Sequence, residues 1–156
     1  MGSLKVVTGF IPLPGHPRPV AEFETLGLQL VQGLQAAGFP VYVGTGTVEH
    51  TALREFVDAR TTPKVGDNPA KNTTEYHCTQ HQKFLFLYEA YQNTAVQPDN
   101  YVWIDYGILH VPGVTLDVIR AYLNRVRDEP EENFCISLPG CWDPIRRRSR
   151  SGRRPG

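Results

Sequence analysis

Cysteine is scarce in this chain. Cys78, Cys135 and Cys141 are odd in number and unevenly spaced among 156 residues, which excludes a disulfide framework and points to a reducing compartment. Long apolar runs are missing as well: no h-region follows Met1 and no stretch is long enough to span a bilayer, so the expectation is a soluble, cytoplasmic protein. The phosphate-cradling glycine patterns are absent. Without Gly-x-Gly-x-x-Gly or Gly-Lys-Ser/Thr there is no dinucleotide or P-loop fingerprint, and without a Gly-x-Ser-x-Gly elbow the commonest α/β-hydrolase reading falls. His77 and His81 have the spacing of two helical zinc ligands. However, Cys78 stands where zinc proteases carry an acid, and no third ligand is visible, so a solvated helix face accounts for the pair.

Acidic residues are missing from the end of the chain. None follows Asp143, whereas Arg146, Arg147, Arg148, Arg150, Arg153 and Arg154 crowd the last eleven positions. The net charge of zero therefore divides into an acidic body, with ten basic against sixteen acidic side chains up to Ile145, and a basic tail. An acidic body lacks the clustered cations that general nucleic-acid binding requires. Residues 146–156 have no apolar side chain except Pro155 and are expected to be a disordered tail, able to make peripheral contact with an anionic membrane surface. The expectation is one domain over residues 1–144 and a tail over 145–156.

What is present alternates between strand and helix. Leu4 to Ile11 is β-rich and ends in a proline-rich loop, since Pro12, Pro14, Pro17 and Pro19 cannot continue a ladder. Val20, Phe23, Leu26, Leu30, Leu34 and Ala37 recur at helical steps, with Gly38 as the stop. Pro40 opens a short strand, Val41 to Gly44. A weaker helical stretch over 53–59 leads to a polar loop over 61–71. Asn72 and Glu75 have capping-box spacing for a helix to about Asn93, the strand around Tyr101 follows, and Thr115 begins a helix with Leu116, Ile119, Leu123 and Val126 on one face. Phe134 to Leu138 reads as a fourth strand. This order predicts an α/β domain with a mainly parallel sheet and flanking helices.

The chemistry concentrates in two places. Tyr101-Val-Trp-Ile-Asp105-Tyr-Gly107 is an apolar strand that ends in a carboxylate, and burying such a group requires a cation, backbone donors or the mouth of a cleft. In open α/β sheets that mouth is where ligands bind; the alternative is an Asp that caps the next turn. Gly107 allows a sharp turn and a close ligand approach. On the preceding helix Tyr76, Gln80, Lys83 and Leu87 share a sector with Phe84 and Tyr91, so Lys83 lies on or beside the apolar stripe. An inward lysine either snorkels to the surface or meets an anion, here a phosphate or Asp105 itself.

With these segments in view, Val6-Val-Thr-Gly-Phe10, Asn72-Thr-x-x-Tyr76 with Gln80-His81-x-Lys83, and Tyr101-Val-Trp-Ile-Asp105-Tyr-Gly107 resemble the bacterial HtrL/YibB-type proteins, regarded as GT-A glycosyltransferases, over about residues 4–143. The resemblance implies a GT-A or Rossmann-like nucleotide-binding half. A nucleoside diphosphate sugar would be the donor, and a glycan, lipopolysaccharide-type or other lipid-linked molecule the acceptor. It places Asp105 as the first acid of an Asp-x-Asp motif that binds Mn²⁺ or Mg²⁺, although Gly107 stands where the second acid would be. It further implies that Thr8, Gly9 and Phe10 receive the base and ribose, that Phe10 stacks on the base, and that Gln80, Lys83, Asp105 and Gly107 complete the donor site, with Lys83 facing the diphosphate. No catalytic base is assigned. A GT-A domain also needs a second, acceptor-binding half, and the abrupt change near Pro144 fits a truncated or frame-shifted gene. Two alternatives come from other classes: a non-catalytic nucleotide-sugar-binding fragment, and an interaction module that docks through its arginine-rich tail.

Overall fold

A computed structural model describes residues 2–13, 15–16, 18–46 and 72–128, together with Glu55 and Pro69. Three parallel strands, β1 (Leu4–Phe10), β2 (Val41–Thr45) and β3 (Asn100–Trp103), form a sheet in the order β2-β1-β3. The helices are α1 (Val20–Ala36), α2 (Thr74–Gln92) and α3 (Leu116–Asp128), with a short 3₁₀ turn at Ile108–His110. The expected α/β class and parallel sheet are present. The stretches predicted over 53–59, 61–71 and 134–138, and the basic tail, lie outside the described residues apart from Glu55 and Pro69. Among the described residues no helix is long and apolar enough to cross a membrane.

β1 is apolar in both directions because both of its faces are covered. Side chains alternate across a strand, so Leu4 and Val6 enter one core with Leu30 and Leu34 of α1 and Ile119 and Leu123 of α3. Val7 enters the other with Ile11 and with Phe86 and Ala90 of α2. The result is a helix–sheet–helix sandwich. Helix α1 ends as its sequence predicts: Gly38 takes φ 81°, its N–H donates to Gln35 O at 2.9 Å, and Phe39 N–H donates to Leu34 O at 3.0 Å. These two bonds make a Schellman motif, and Phe39 packs with Leu34 in the core. Arg120 of α3 donates to Gly33 O at 2.9 Å and so ties the two helices on that face together.

Two sequence expectations shift. The cap of α2 is Thr73 in place of Asn72: its hydroxyl accepts from Tyr76 N–H at 3.1 Å, whereas Asn72 N–H bonds to Pro69 O. The buried stripe of α2 is Cys78, Gln82, Phe86 and Ala90, one residue round from the predicted sector, and Phe84 is 71% exposed. Gly9 and Gly44 select this stripe. A Cβ at Gly9 would stand 2.5 Å from the Phe86 ring, and one at Gly44 would also strike it, so the two glycines form the floor on which Phe86 lies.

Thr8 is fully buried at 0% exposure, and among the described residues its hydroxyl has no hydrogen-bond partner. An unsatisfied buried hydroxyl costs free energy that a methyl group would not. Thr8→Val is therefore expected to stabilise the fold by roughly 1 kcal/mol, or about 2–4 °C in Tm at this chain length. A fall in Tm of similar size in a thermal melt would show that the hydroxyl has a structural role.

Candidate functional site

The strand order reverses at β1, since β2 lies on one side of it and β3 on the other. Such a switch point opens a crevice beyond the carboxyl ends of the two strands. A cavity of about 430 Å³ occupies this position, between Gly9 to Leu13 at the end of β1 and Trp103 and Asp105 to Gly107 at the end of β3. Its size is that of a small-ligand site.

One wall is built by α2 and β3. Trp103 points toward α2 and stacks on Phe86, with ring centroids 6.2 Å apart and an interplanar angle of 9°. Lys83, one helical turn before Phe86, therefore reaches the same place. Its ammonium is 2.8 Å from Asp105 Oδ1 and 5.7 Å from the Trp103 ring centroid. Trp103 Nε1–H also donates to Asp105 Oδ1, at 2.8 Å. Two donors thus fix one carboxylate oxygen at the cavity wall, with the Lys83 side chain 20% and the Asp105 side chain 35% exposed. Of the two explanations for this strand-end acid, the cleft mouth is where it stands, and the cation it meets is Lys83. Tyr76 lines the same wall, its phenol pushed above the ordinary tyrosine range by burial and, less, by the Asp105 charge. Gln80 and Thr79 complete this side.

The opposite wall is aromatic. Phe10 stacks on Tyr106 at 5.5 Å and approaches Phe23 at 6.0 Å, and His16 meets Phe23 edge-on at 5.1 Å. Tyr106 lies against α1 at Gly27, where a Cβ would have no room. Gly107 has φ −94° and needs no left-handed backbone; a Cβ there would stand 2.5 Å from the Phe23 ring. The close approach read from the sequence is thus made by the protein's own Phe23.

The sequence-predicted residues separate as follows. Gly9, Phe10, Gln80, Lys83, Asp105 and Gly107 line the cavity. Thr8 does not: it is buried in the sheet. Phe10 is already stacked on Tyr106 as part of the wall. His77 packs edge-on against Tyr76, with ring centroids 5.9 Å apart, and His81 is exposed. Sequence reasoning passed over Arg18, His16 and Phe23. The available signal was position alone, because all three follow directly from the end of the first strand, where an α/β fold places its ligand loop.

The described residues of the cavity do not by themselves suit a divalent cation. Among the described residues Asp105 is the only carboxylate lining the cavity, its Oδ1 is paired with Lys83, and no group of three or more His, Cys, Asp or Glu side chains could hold a metal. A hard divalent ion wants several oxygen ligands and would have to displace the ammonium. The lining cations, Lys83 and Arg18, instead favour an anion. Against known proteins, no family model, curated protein or solved structure matches the chain.

Proposed function

We propose that the cleft between β1 and β3 binds a nucleoside diphosphate sugar, with its diphosphate carried by Lys83 and its apolar parts against the aromatic wall, and that the activity is transfer of the sugar to a glycan or lipid-linked acceptor. The observation that carries this reading is the Lys83–Asp105–Trp103 cluster at the switch-point cavity. A lysine placed there by a core stack, and oriented by a carboxylate, is set to exchange that partner for a phosphate oxygen. The amino end of α1 adds to it, since Val20 and Phe23 of its first turns line the cavity and a helix N-terminus favours negative charge. Sugar transfer itself rests on the resemblance to HtrL/YibB-type proteins. The cation that neutralises the diphosphate in this reading is a side chain, not Mn²⁺ or Mg²⁺.

Thermal shift with UDP-, GDP- and CMP-sugars, in EDTA and in Mn²⁺, tests the reading. At a donor concentration of one hundred times Kd, stabilisation is about 2.7 kcal/mol, so at least one donor is expected to raise Tm by roughly 5–10 °C in EDTA. Silence with every donor in both buffers would sink the binding site, and a shift seen only with Mn²⁺ would overturn the metal-free mode. Release of free nucleoside diphosphate from the binding donor reports transfer or hydrolysis; binding with no release would leave a binding module.

A further inference from the structure

We propose that Arg18 is a second anion-binding residue of the cleft, and that together with Lys83 it selects diphosphate over monophosphate esters; this deepens the reading above and rests on it. Lys83 enters the cavity from α2 and Arg18 from the loop that leads into α1, and the two helices pack on opposite faces of the sheet. Two cations are therefore brought to one cavity from different sides. Their pairing differs. Lys83 is compensated by Asp105, whereas among the described residues Arg18 pairs through Nε with Glu22 Oε1 at 3.3 Å, an i,i+4 contact to a glutamate that is 50% exposed. Such pairs are weak and readily exchanged.

The rest of the guanidinium is held ready. It lies over the Phe23 ring with its carbon 5.4 Å from the centroid, the side chain is 29% exposed, and Nη1 is shielded from solvent, with no hydrogen-bond partner among the described residues. Leaving a charged donor unsatisfied is unfavourable, and a turn of the partly exposed side chain toward the cavity would let a phosphate oxygen meet the planar fork and satisfy it. Beside it, Arg18 N–H donates to His16 Nδ1 at 3.1 Å. A ring that accepts at Nδ1 can donate through Nε2, so His16 adds one more donor on this wall. In this reading one phosphate meets Lys83 and a second engages Arg18 on the other side of the cavity.

The test is isothermal titration of the full chain with matched pairs, UDP against UMP and GDP against GMP, at low and high salt. The wild-type chain is expected to prefer the diphosphate of the pair it binds by about tenfold or more at low salt, and less at high salt. Arg18→Gln is expected to reduce that preference to roughly two- to threefold while leaving monophosphate affinity nearly unchanged; Arg18→Lys, which keeps the charge but loses the fork, should fall between them. An unchanged ratio in Arg18→Gln, or an equal loss for both members of the pair, would overturn the role of Arg18. If Arg18→Gln fails to fold by circular dichroism, an Arg18→Lys ratio equal to wild type overturns it instead. If wild type binds neither member of either pair, the cleft assignment itself fails, a result separate from the others.

Discussion

Lys83→Gln is expected to weaken nucleoside diphosphate binding by about ten- to a hundredfold while moving the melting temperature little. Hydrogen bonds to charged groups contribute roughly 1.5–3 kcal/mol, and that range is the one removed when the ammonium becomes an amide. Stability is spared because the Asp105 side chain is 35% exposed, so water can take over the oxygen that Lys83 leaves, and Trp103 Nε1–H still donates to it. Titration of both proteins with the same donor, beside a thermal melt of each, checks both halves. Undiminished affinity in Lys83→Gln would remove the phosphate role from this lysine.

Asp105→Asn moves the other way in this account. The amide oxygen can keep the bond from Trp103, whereas the ion pair with Lys83 at 2.8 Å is lost and the ammonium becomes freer to meet phosphate. Affinity should hold or rise by a few-fold. A site in which Asp105 carried a divalent ion against the diphosphate would show the opposite, with loss of binding in Asp105→Asn and recovery of nothing in EDTA. The two variants together therefore ask whether charge at this cleft is supplied by a side chain or by a metal.

How far these features were legible depends on how far each rests on local rules. Apolar, β-rich runs and helical spacing located β1, α1, β3 and α3, and Gly38 marked a real Schellman stop because the motif is local. Lys83 and Asp105 were readable as potential partners because one lay near an apolar helix face and the other closed an apolar strand. The face of α2 was misjudged. Aromatic side chains surround that helix, with Phe84, Tyr88 and Tyr91 exposed, so spacing alone could not choose the buried stripe. The choice is made by two distant glycines, Gly9 and Gly44, whose missing side chains admit Phe86. Asn72 and Thr73 are adjacent and both able to cap; only the hydroxyl of Thr73 meets Tyr76 N–H. Arg18 had no periodicity to reveal it, because it comes from a proline-rich loop and acquires its role only when the chain folds it against Phe23.

Phe86→Ala is expected to be strongly destabilising, and to disturb the site through the core. Phe86 is 4% exposed, belongs to the cluster with Val7, Ile11 and Ala90, and stacks on Trp103. Truncating a buried Phe costs about 3–5 kcal/mol, a large share of a stability of roughly 5–15 kcal/mol, so a fall in Tm of about 6–20 °C is expected at this size. Trp103 then loses the ring that sets its plane, and the Asp105 oxygen loses an oriented donor, so ligand affinity should fall beyond what partial unfolding explains. The two floor glycines supply a control. Gly44→Ala alone drives a methyl into the Phe86 ring, an overpacking change that costs about 1–3 kcal/mol. In the Phe86→Ala background the same methyl enters space the ring has left, so its penalty should shrink or reverse, and a double-mutant cycle by urea denaturation should give a coupling of about 1 kcal/mol or more. Additive effects within a few tenths of a kcal/mol would mean that Gly44 does not form the floor beneath Phe86, and that something other than this stack holds Trp103 and the Asp105 carboxylate in place.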